Sequence, residues 1–304
     1  MTWTRLALVS LAVGTLLAQP AAQTREAPPR RFKARVDMVT ITATVVDADG
    51  RLVSGLTQDE FEIYEDGERQ AITHFGSDRV PIGLGLLLDV SDSMRGQRIA
   101  DARASVAHFL FELLSEEDEY FVMSFNHAPR VIAPWTSRAD EVLPRLQELR
   151  PSGGTSIYDA IMAALPVFDE RSRQRAAIVL ISDGADTASD AHVRDVRSAL
   201  LRSDAFVYAI AIDPPADTRP INARVNPYAL REITDDSGGR TQVVHDSADL
   251  GAATARIAEE LNHQYLIGYV APRPADGKFH SIRVRMKDEG YVVRSRRGYI
   301  APKE

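Results

Sequence analysis

The chain has 304 residues, 44% of them hydrophobic, which is enough apolar material for one large domain or two ordinary ones. Its 36 basic and 43 acidic side chains give a formal net charge of −7, and this balance does not favour nucleic acid as a partner. The sequence contains no cysteine, which excludes disulfides, thiolate metal sites and thiol catalysis.

The first residues have the layout of a secretory signal peptide. Residues 1–5 form a short, positively charged segment, residues 6–18 form an apolar run, and residues 19–23 form a segment of small and polar residues. We therefore predict a signal peptide over residues 1–22, with an uncleaved N-terminal anchor as the alternative. No other apolar stretch is long enough to span a membrane, so we expect no span in the mature chain.

After a proline-rich linker at residues 23–31, both ends of the chain are predicted to be β-rich. Residues 32–80 contain alternating apolar positions around Ile41 and a hairpin signal at Asp66-Gly67, and residues 263–304 contain three short alternating strands. Each segment is too short to sustain a core without disulfides or metal. We therefore expect the two segments to pair into one small β-sandwich-like domain.

The middle of the chain, residues 81–262, has a different pattern. Continuous apolar runs at 82–88, 176–181 and 205–212 are typical of parallel strands that are covered on both faces. Between these runs, apolar residues recur every three or four positions, as in amphipathic helices. The pattern predicts a three-layer α/β domain with a mostly parallel, Rossmann-like sheet.

Oxygen-bearing side chains follow these predicted strands. Asp89, Ser91 and Ser93 come directly after the first apolar run, Thr155 follows a Gly-Gly pair before a helix, and Asp183 follows the second run. Open α/β sheets bind ligands at the carboxyl ends of their strands, so these side chains are expected at one edge. Carboxylates and hydroxyls are hard donors that suit Mg²⁺, with Mn²⁺ or Ca²⁺ as alternatives.

The pattern Asp-x-Ser-x-Ser, then a threonine, then an aspartate before glycine resembles the metal-ion-dependent adhesion site (MIDAS) of von Willebrand factor type A (VWFA) domains. The flanks resemble those of bacterial secreted VWFA-related proteins. This resemblance implies that Ser91, Ser93 and in some cases Thr155 bind the cation directly, while Asp89 and Asp183 act largely through water. It also implies an open coordination position for an Asp or Glu of a protein partner.

Other interpretations of these residues remain. Asp89 and Ser91 are good N-cap residues for the helix that contains Ile99, and Asp159 is either a hydrogen-bonding neighbour of the site or an ordinary acid in a helix's first turn. The string Asp236-Ser-Gly-Gly239 resembles a serine-protease segment, although a turn is the simpler explanation.

From these patterns we expect a secreted or periplasmic, cell-envelope protein that is not an enzyme and that binds a protein partner through a divalent cation. The alternatives are a metal-assisted hydrolase and a structural envelope protein with a vestigial metal site. The oligomeric state and the identity of the partner stay open.

Overall fold

The structure is a computed structural model that describes residues 38–213, 224–272 and 276–303. The predicted signal peptide and linker lie outside the described residues. The strands within the described part are β1 (Met38–Val46), β2 (Phe61–Glu65), β3 (Glu68–Gln70), β4 (Ile72–Gly76), β5 (Ile82–Asp89), β6 (Glu119–Phe125), β7 (Pro129–Thr136), β8 (Arg175–Ser182), β9 (Phe206–Ile212), β10 (Arg240–Val244), β11 (Tyr265–Val270), β12 (Phe279–Met286), β13 (Val292–Ser295) and β14 (Gly298–Ile300). The α-helices are α1 (Gln97–His108), α2 (Ala139–Glu148), α3 (Ile157–Val167), α4 (Val193–Leu200), α5 (Pro227–Ser237) and α6 (Ser247–Asn262).

A six-stranded sheet in the order β10-β9-β8-β5-β6-β7 forms the centre of the molecule. Its strands are parallel except β7, which returns antiparallel to β6 at the edge. Every residue of β5, β8 and β9 is buried, which explains why these strands are continuous apolar runs in the sequence.

Helices cover both faces of this sheet. Leu84, Leu86 and Leu88 of β5 share a core with α1, α2 and α6. Leu87, which points to the other face, packs in a core with α3, α4 and α5. The predicted three-layer α/β fold is confirmed. No helix within the described ranges is both long and apolar enough to cross a membrane.

The two flanks form two further antiparallel sheets, ordered β13-β1-β11-β4 and β14-β12-β2-β3. Each sheet combines strands from both ends of the chain, with Ile41 opposite Ile267 in one and Ile63 opposite Val284 in the other. These four side chains belong to one buried apolar cluster, so the sheets pack as a sandwich around a shared core.

Candidate functional site

Two neighbouring strands of the central sheet end at the candidate site. β5 ends at Asp89 and β8 ends at Ser182, one residue before Asp183, and the strands run parallel with Leu88 opposite Ile181. The carboxyl ends of parallel strands meet at one edge of the sheet, where ligands bind in open α/β folds. The register therefore brings the first and last predicted metal-site residues together.

Asp89 is fully buried, and both of its carboxylate oxygens accept hydrogen bonds. The Ser91 amide donates to Oδ1 at 2.8 Å, and the Ser182 hydroxyl donates to Oδ2 at 2.5 Å. Burial raises the pKa of Asp89 from 3.8 to about 6, and the charge of Asp183 adds to the rise, although the serine hydrogen bonds oppose it. A cation beside this carboxylate would favour its charged form, so the position suits cation binding.

Close contacts link Ser91, Ser93 and Asp183. The Oγ atoms of Ser91 and Ser93 lie 2.9 Å apart, and the Ser93 hydroxyl donates to Asp183 Oδ1 at 2.6 Å. Ser91 is the N-cap of a short 3₁₀ turn that contains Ser93, and Met94, whose side chain is fully buried, donates its amide to the Ser91 carbonyl. Burial of Met94 thus anchors the turn and holds both hydroxyls at the sheet edge.

Thr155 lies on the second loop of the site and is also buried. The amides of Thr187 and Ala188 donate to its carbonyl at 2.9 and 3.0 Å, which ties this loop to the segment that follows Asp183. A Cβ at Gly184 would lie 2.9 Å from Thr155 Oγ1 and 3.6 Å from Ser93 Oγ. The glycine therefore keeps open a small space that two of the predicted ligand hydroxyls face.

Two residues that the sequence did not single out also contact the site. Ser182 holds Asp89, as described above, and Arg98 in the first turn of α1 lies with Nη1 2.9 Å from Asp183 Oδ2. The same nitrogen donates to the Ser93 carbonyl at 2.8 Å. A hydroxyl at the end of a buried strand was the signal for Ser182. The sequence alone gave no comparable signal for Arg98, because a charged residue in an exposed helical turn is common.

The donor set fits a hard divalent cation. Adjacent oxygens around an octahedral Mg²⁺ stand about 2.9 Å apart, as Ser91 Oγ and Ser93 Oγ do here. Three hydroxyls and two buried carboxylates converge, and the space beside Gly184 is bounded by oxygen atoms. All donors are oxygens, which favours Mg²⁺, Mn²⁺ or Ca²⁺ over softer metals.

The structure also tests the alternative interpretations of Asp89, Ser91 and Asp159. The helix-capping hypothesis for Asp89 and Ser91 is wrong, because α1 begins only at Gln97 and its N-cap is Gly96. Asp159 lies in the first turn of α3, and its carboxylate accepts the amides of residues 190 and 191, which fixes the loop after β8.

The protease-like string ends α5 rather than forming a catalytic centre. The Ser237 hydroxyl donates to the Thr234 carbonyl and accepts the Val207 amide, and Gly238 adopts the left-handed conformation of a helix C-cap. Ser237 is buried by these contacts, so the turn explanation is the correct one.

Comparison with known proteins agrees with this fold. Residues 84–185, which contain most of β5, the first two loops and Asp183, match the family model described as von Willebrand factor type A domain. The chain contains a VWFA domain. The matched segment runs from within β5 to just past Gly184, so it includes all five residues of the predicted MIDAS.

Relatives and solved structures extend the comparison. Inter-alpha-trypsin inhibitor heavy chain H4 of Sus scrofa is 26% identical over 179 residues, 54% of this chain and 19% of that protein. A von Willebrand factor type A protein from Catenulispora acidiphila has a TM-score of 0.53 at 13% identity and covers 88% of this chain and 74% of its own. PilB minor pilin from Streptococcus sanguinis has a TM-score of 0.50 at 12% identity, and the match covers 62% of this chain and 63% of the pilin.

These similarities have defined limits. The chain spans about a fifth of the length of the first curated relatives that it matches. The likenesses to solved structures, at 12–13% identity, establish the fold alone.

Proposed function

We propose that the protein is a binding module that captures an acidic side chain of a partner protein through a divalent cation at the VWFA site. The observation that carries this proposal is the convergence of Ser91, Ser93 and Thr155 with the buried carboxylates of Asp89 and Asp183. Such a site leaves the cation with few negatively charged direct ligands, so that it attracts a carboxylate from outside.

In this proposal the hydroxyls bind the ion directly and the two aspartates act on it through water. The hydrogen bonds that Asp89 accepts from Ser91 and Ser182 leave it oriented but set back in the sheet edge, which supports an indirect role. Asp183 is held between Ser93 and Arg98. The Arg98 guanidinium partly neutralises Asp183 and so preserves the positive character of a bound ion.

The rim of the site offers an aromatic contact for a partner. Arg224 pairs with Gly184 in an isolated β-bridge, and α5 begins three residues later, at the same edge of the sheet. Asn226 caps this helix by accepting the amide of Tyr228, whose side chain is 76% exposed. Exposed tyrosines beside a recognition site are frequent binding hot spots.

The test is the effect of Mg²⁺ on thermal unfolding. A ligand that binds only the folded state at 100 times its Kd stabilises the protein by about 2.7 kcal/mol, so a rise in Tm is expected for wild type. Asp89→Ala should abolish that rise. The matched control is Asp92→Ala, because Asp92 lies between the two serines but its side chain is exposed and pairs with Arg95. If the Tm of the wild-type protein changes with neither Mg²⁺ nor chelator, the site is vestigial.

A second experiment separates a binding module from a metal-assisted hydrolase. Partner capture from envelope extract should be lost on chelation and in Ser93→Ala. A hydrolase would instead need a general base, and His127 is placed on the rim, since a Cβ at Gly153 would lie 3.1 Å from its Nδ1. We expect His127→Ala to leave metal-dependent capture unchanged.

We also propose that the protein acts outside the cytoplasm, in the periplasm or at the cell envelope. The support is the charged, apolar and small-residue order of residues 1–23. N-terminal sequencing of protein from the envelope fraction tests this proposal. A chain that begins after residue 22 is the expected result, and recovery in the cytoplasm with an intact N-terminus would contradict it.

A further inference from the structure

A second group of ligand-type side chains lies in the sandwich, outside the central sheet. Glu65 ends β2, Asp66 follows in the turn to β3, and His280 lies on β12, whose residue Ile282 is opposite Glu65. Single ligand atoms of Glu65, Asp66 and His280 all lie within 4.8 Å of one another. The three residues come from two segments that are far apart in the sequence, so no spacing motif marks them.

The imidazole of His280 is held between two carboxylates. Its side chain is nearly inaccessible; Nδ1 lies 2.8 Å from Asp66 Oδ2, and Nε2 lies 3.2 Å from Asp276 Oδ1. Histidines that bind metals commonly donate their second ring N–H to a carboxylate, which fixes the tautomer. In a metal-bound site of this kind Asp276 would accept the Nε2 proton, and the Nδ1 lone pair would then face an ion held with Glu65 and Asp66.

Glu65 supplies the second observation. It is 1% exposed; its Oε2 accepts hydrogen bonds from the hydroxyls of Tyr269 and Tyr299, whereas Oε1 has no hydrogen-bond partner among the described residues. This buried Oε1 lies 3.7 Å from Nδ1 of His280. A buried carboxylate oxygen without a donor is costly, and a cation would remove that cost.

We propose that Glu65, Asp66 and His280 form a second divalent-metal site, selective for borderline ions such as Zn²⁺ over Mg²⁺. One imidazole nitrogen and two carboxylate oxygens are a donor set that suits Zn²⁺. Ligands about 2.0–2.1 Å from a tetrahedral ion stand about 3.4 Å apart. The Nδ1 distances of 2.8 Å to Asp66 and 3.7 Å to Glu65 bracket that value. The Asp66 side chain is 26% exposed, which leaves a route for the ion.

Such an ion would join the β2–β3 turn to β12, and so would fasten a strand from the N-terminal flank to one from the C-terminal flank. It is independent of the VWFA site, since none of its ligands belongs to the central sheet or its loops. The role is therefore structural, and its loss should weaken the sandwich rather than partner capture.

The experiment uses the untagged full-length chain carrying Asp89→Ala, so that the VWFA site does not contribute. After chelation and dialysis, titration calorimetry with ZnCl₂ should show one equivalent bound per chain. His280→Gln and Asp66→Asn should each abolish it, the latter from a partly exposed position that does not threaten folding. Asp276→Asn should weaken binding about 10- to 100-fold while the stoichiometry is kept. Glu68→Gln, on the exposed neighbouring strand, is the control and should change nothing.

Two results would overturn the proposal. One is the absence of Zn²⁺ binding, or binding that survives both His280→Gln and Asp66→Asn. The other is a ¹⁵N spectrum in which both ring nitrogens of His280 carry protons at neutral pH and do not respond to Zn²⁺. In that case the cluster is an imidazolium paired with carboxylates and holds no metal.

Discussion

Arg294 of β13 reaches the buried carboxylate of Glu260 in α6, with 2.6 Å between Nη2 and Oε2. The other oxygen of the same carboxylate lies 2.7 Å from Nη2 of Arg240, which starts β10. Glu260 is 2% exposed, so one buried acid joins a strand of the central sheet to a strand of the sandwich. The stability of the fold should depend on the charge of Glu260, because neutralising this side chain would leave two partly buried arginines without their counter-ion.

We expect Glu260→Gln to lower the free energy of unfolding by about 3 kcal/mol, since removing one partner of a buried ion pair leaves the other charge buried without a counter-ion. Chemical denaturation followed by circular dichroism measures this effect. Glu259→Gln, at the exposed neighbouring position, is the matched control and should cost little. Equal losses in the two variants would show that the buried ion pair contributes no more than a surface charge.

Gly184→Ala tests the space between the predicted ligands. The added methyl group would lie 2.9 Å from Thr155 Oγ1, so the threonine hydroxyl must move and the site must open. We expect the Mg²⁺-dependent rise in Tm to disappear while the metal-free Tm falls only slightly, because the change lies at the sheet edge. Gly251→Ala is the control, since a Cβ there meets nothing within 4 Å. An unchanged Mg²⁺ response in Gly184→Ala would place the ion elsewhere.

Tyr228→Ser tests the partner-facing rim. The exposed ring contributes little to folding, so the Tm and its Mg²⁺ response should stay as in wild type, whereas capture of the partner should fall by at least tenfold. Phe111→Ser, which removes another exposed aromatic side chain beyond the C-terminal end of α1, is the control. The rim proposal fails if both variants capture partner equally well.

Truncation after Asn262 tests whether the N-terminal strands of the sandwich need the C-terminal strands to stay folded. It removes β11, which lies between β1 and β4, and β12, which lies between β2 and β14. We expect residues 38–76 to become sensitive to protease because their apolar faces lose their cover. The central domain should still respond to Mg²⁺. Protection of residues 38–76 in the truncated chain would mean that the N-terminal strands fold without their C-terminal partners.

The sequence alone was sufficient for the central fold and for placing the candidate metal ligands at one edge of its sheet. The apolar runs of β5, β8 and β9 predict buried parallel strands because such strands are covered on both faces. Once these strands are parallel and adjacent, the residues that follow them must meet at one edge. Asp89 and Asp183 therefore lie near each other in the structure as the sequence order predicts.

Only the tertiary structure decided which long-range partners complete each site. Ser182 and Arg98 contact the two aspartates because of strand register and the position at which α1 begins, and the sequence around each residue does not specify which aspartate it contacts. The pairing of β2 with β12 brings Glu65 to His280 across more than two hundred residues, so no spacing pattern could reveal that group. Contacts between distant segments depend on how whole elements pack, and periodicity within one element carries no information about its neighbour.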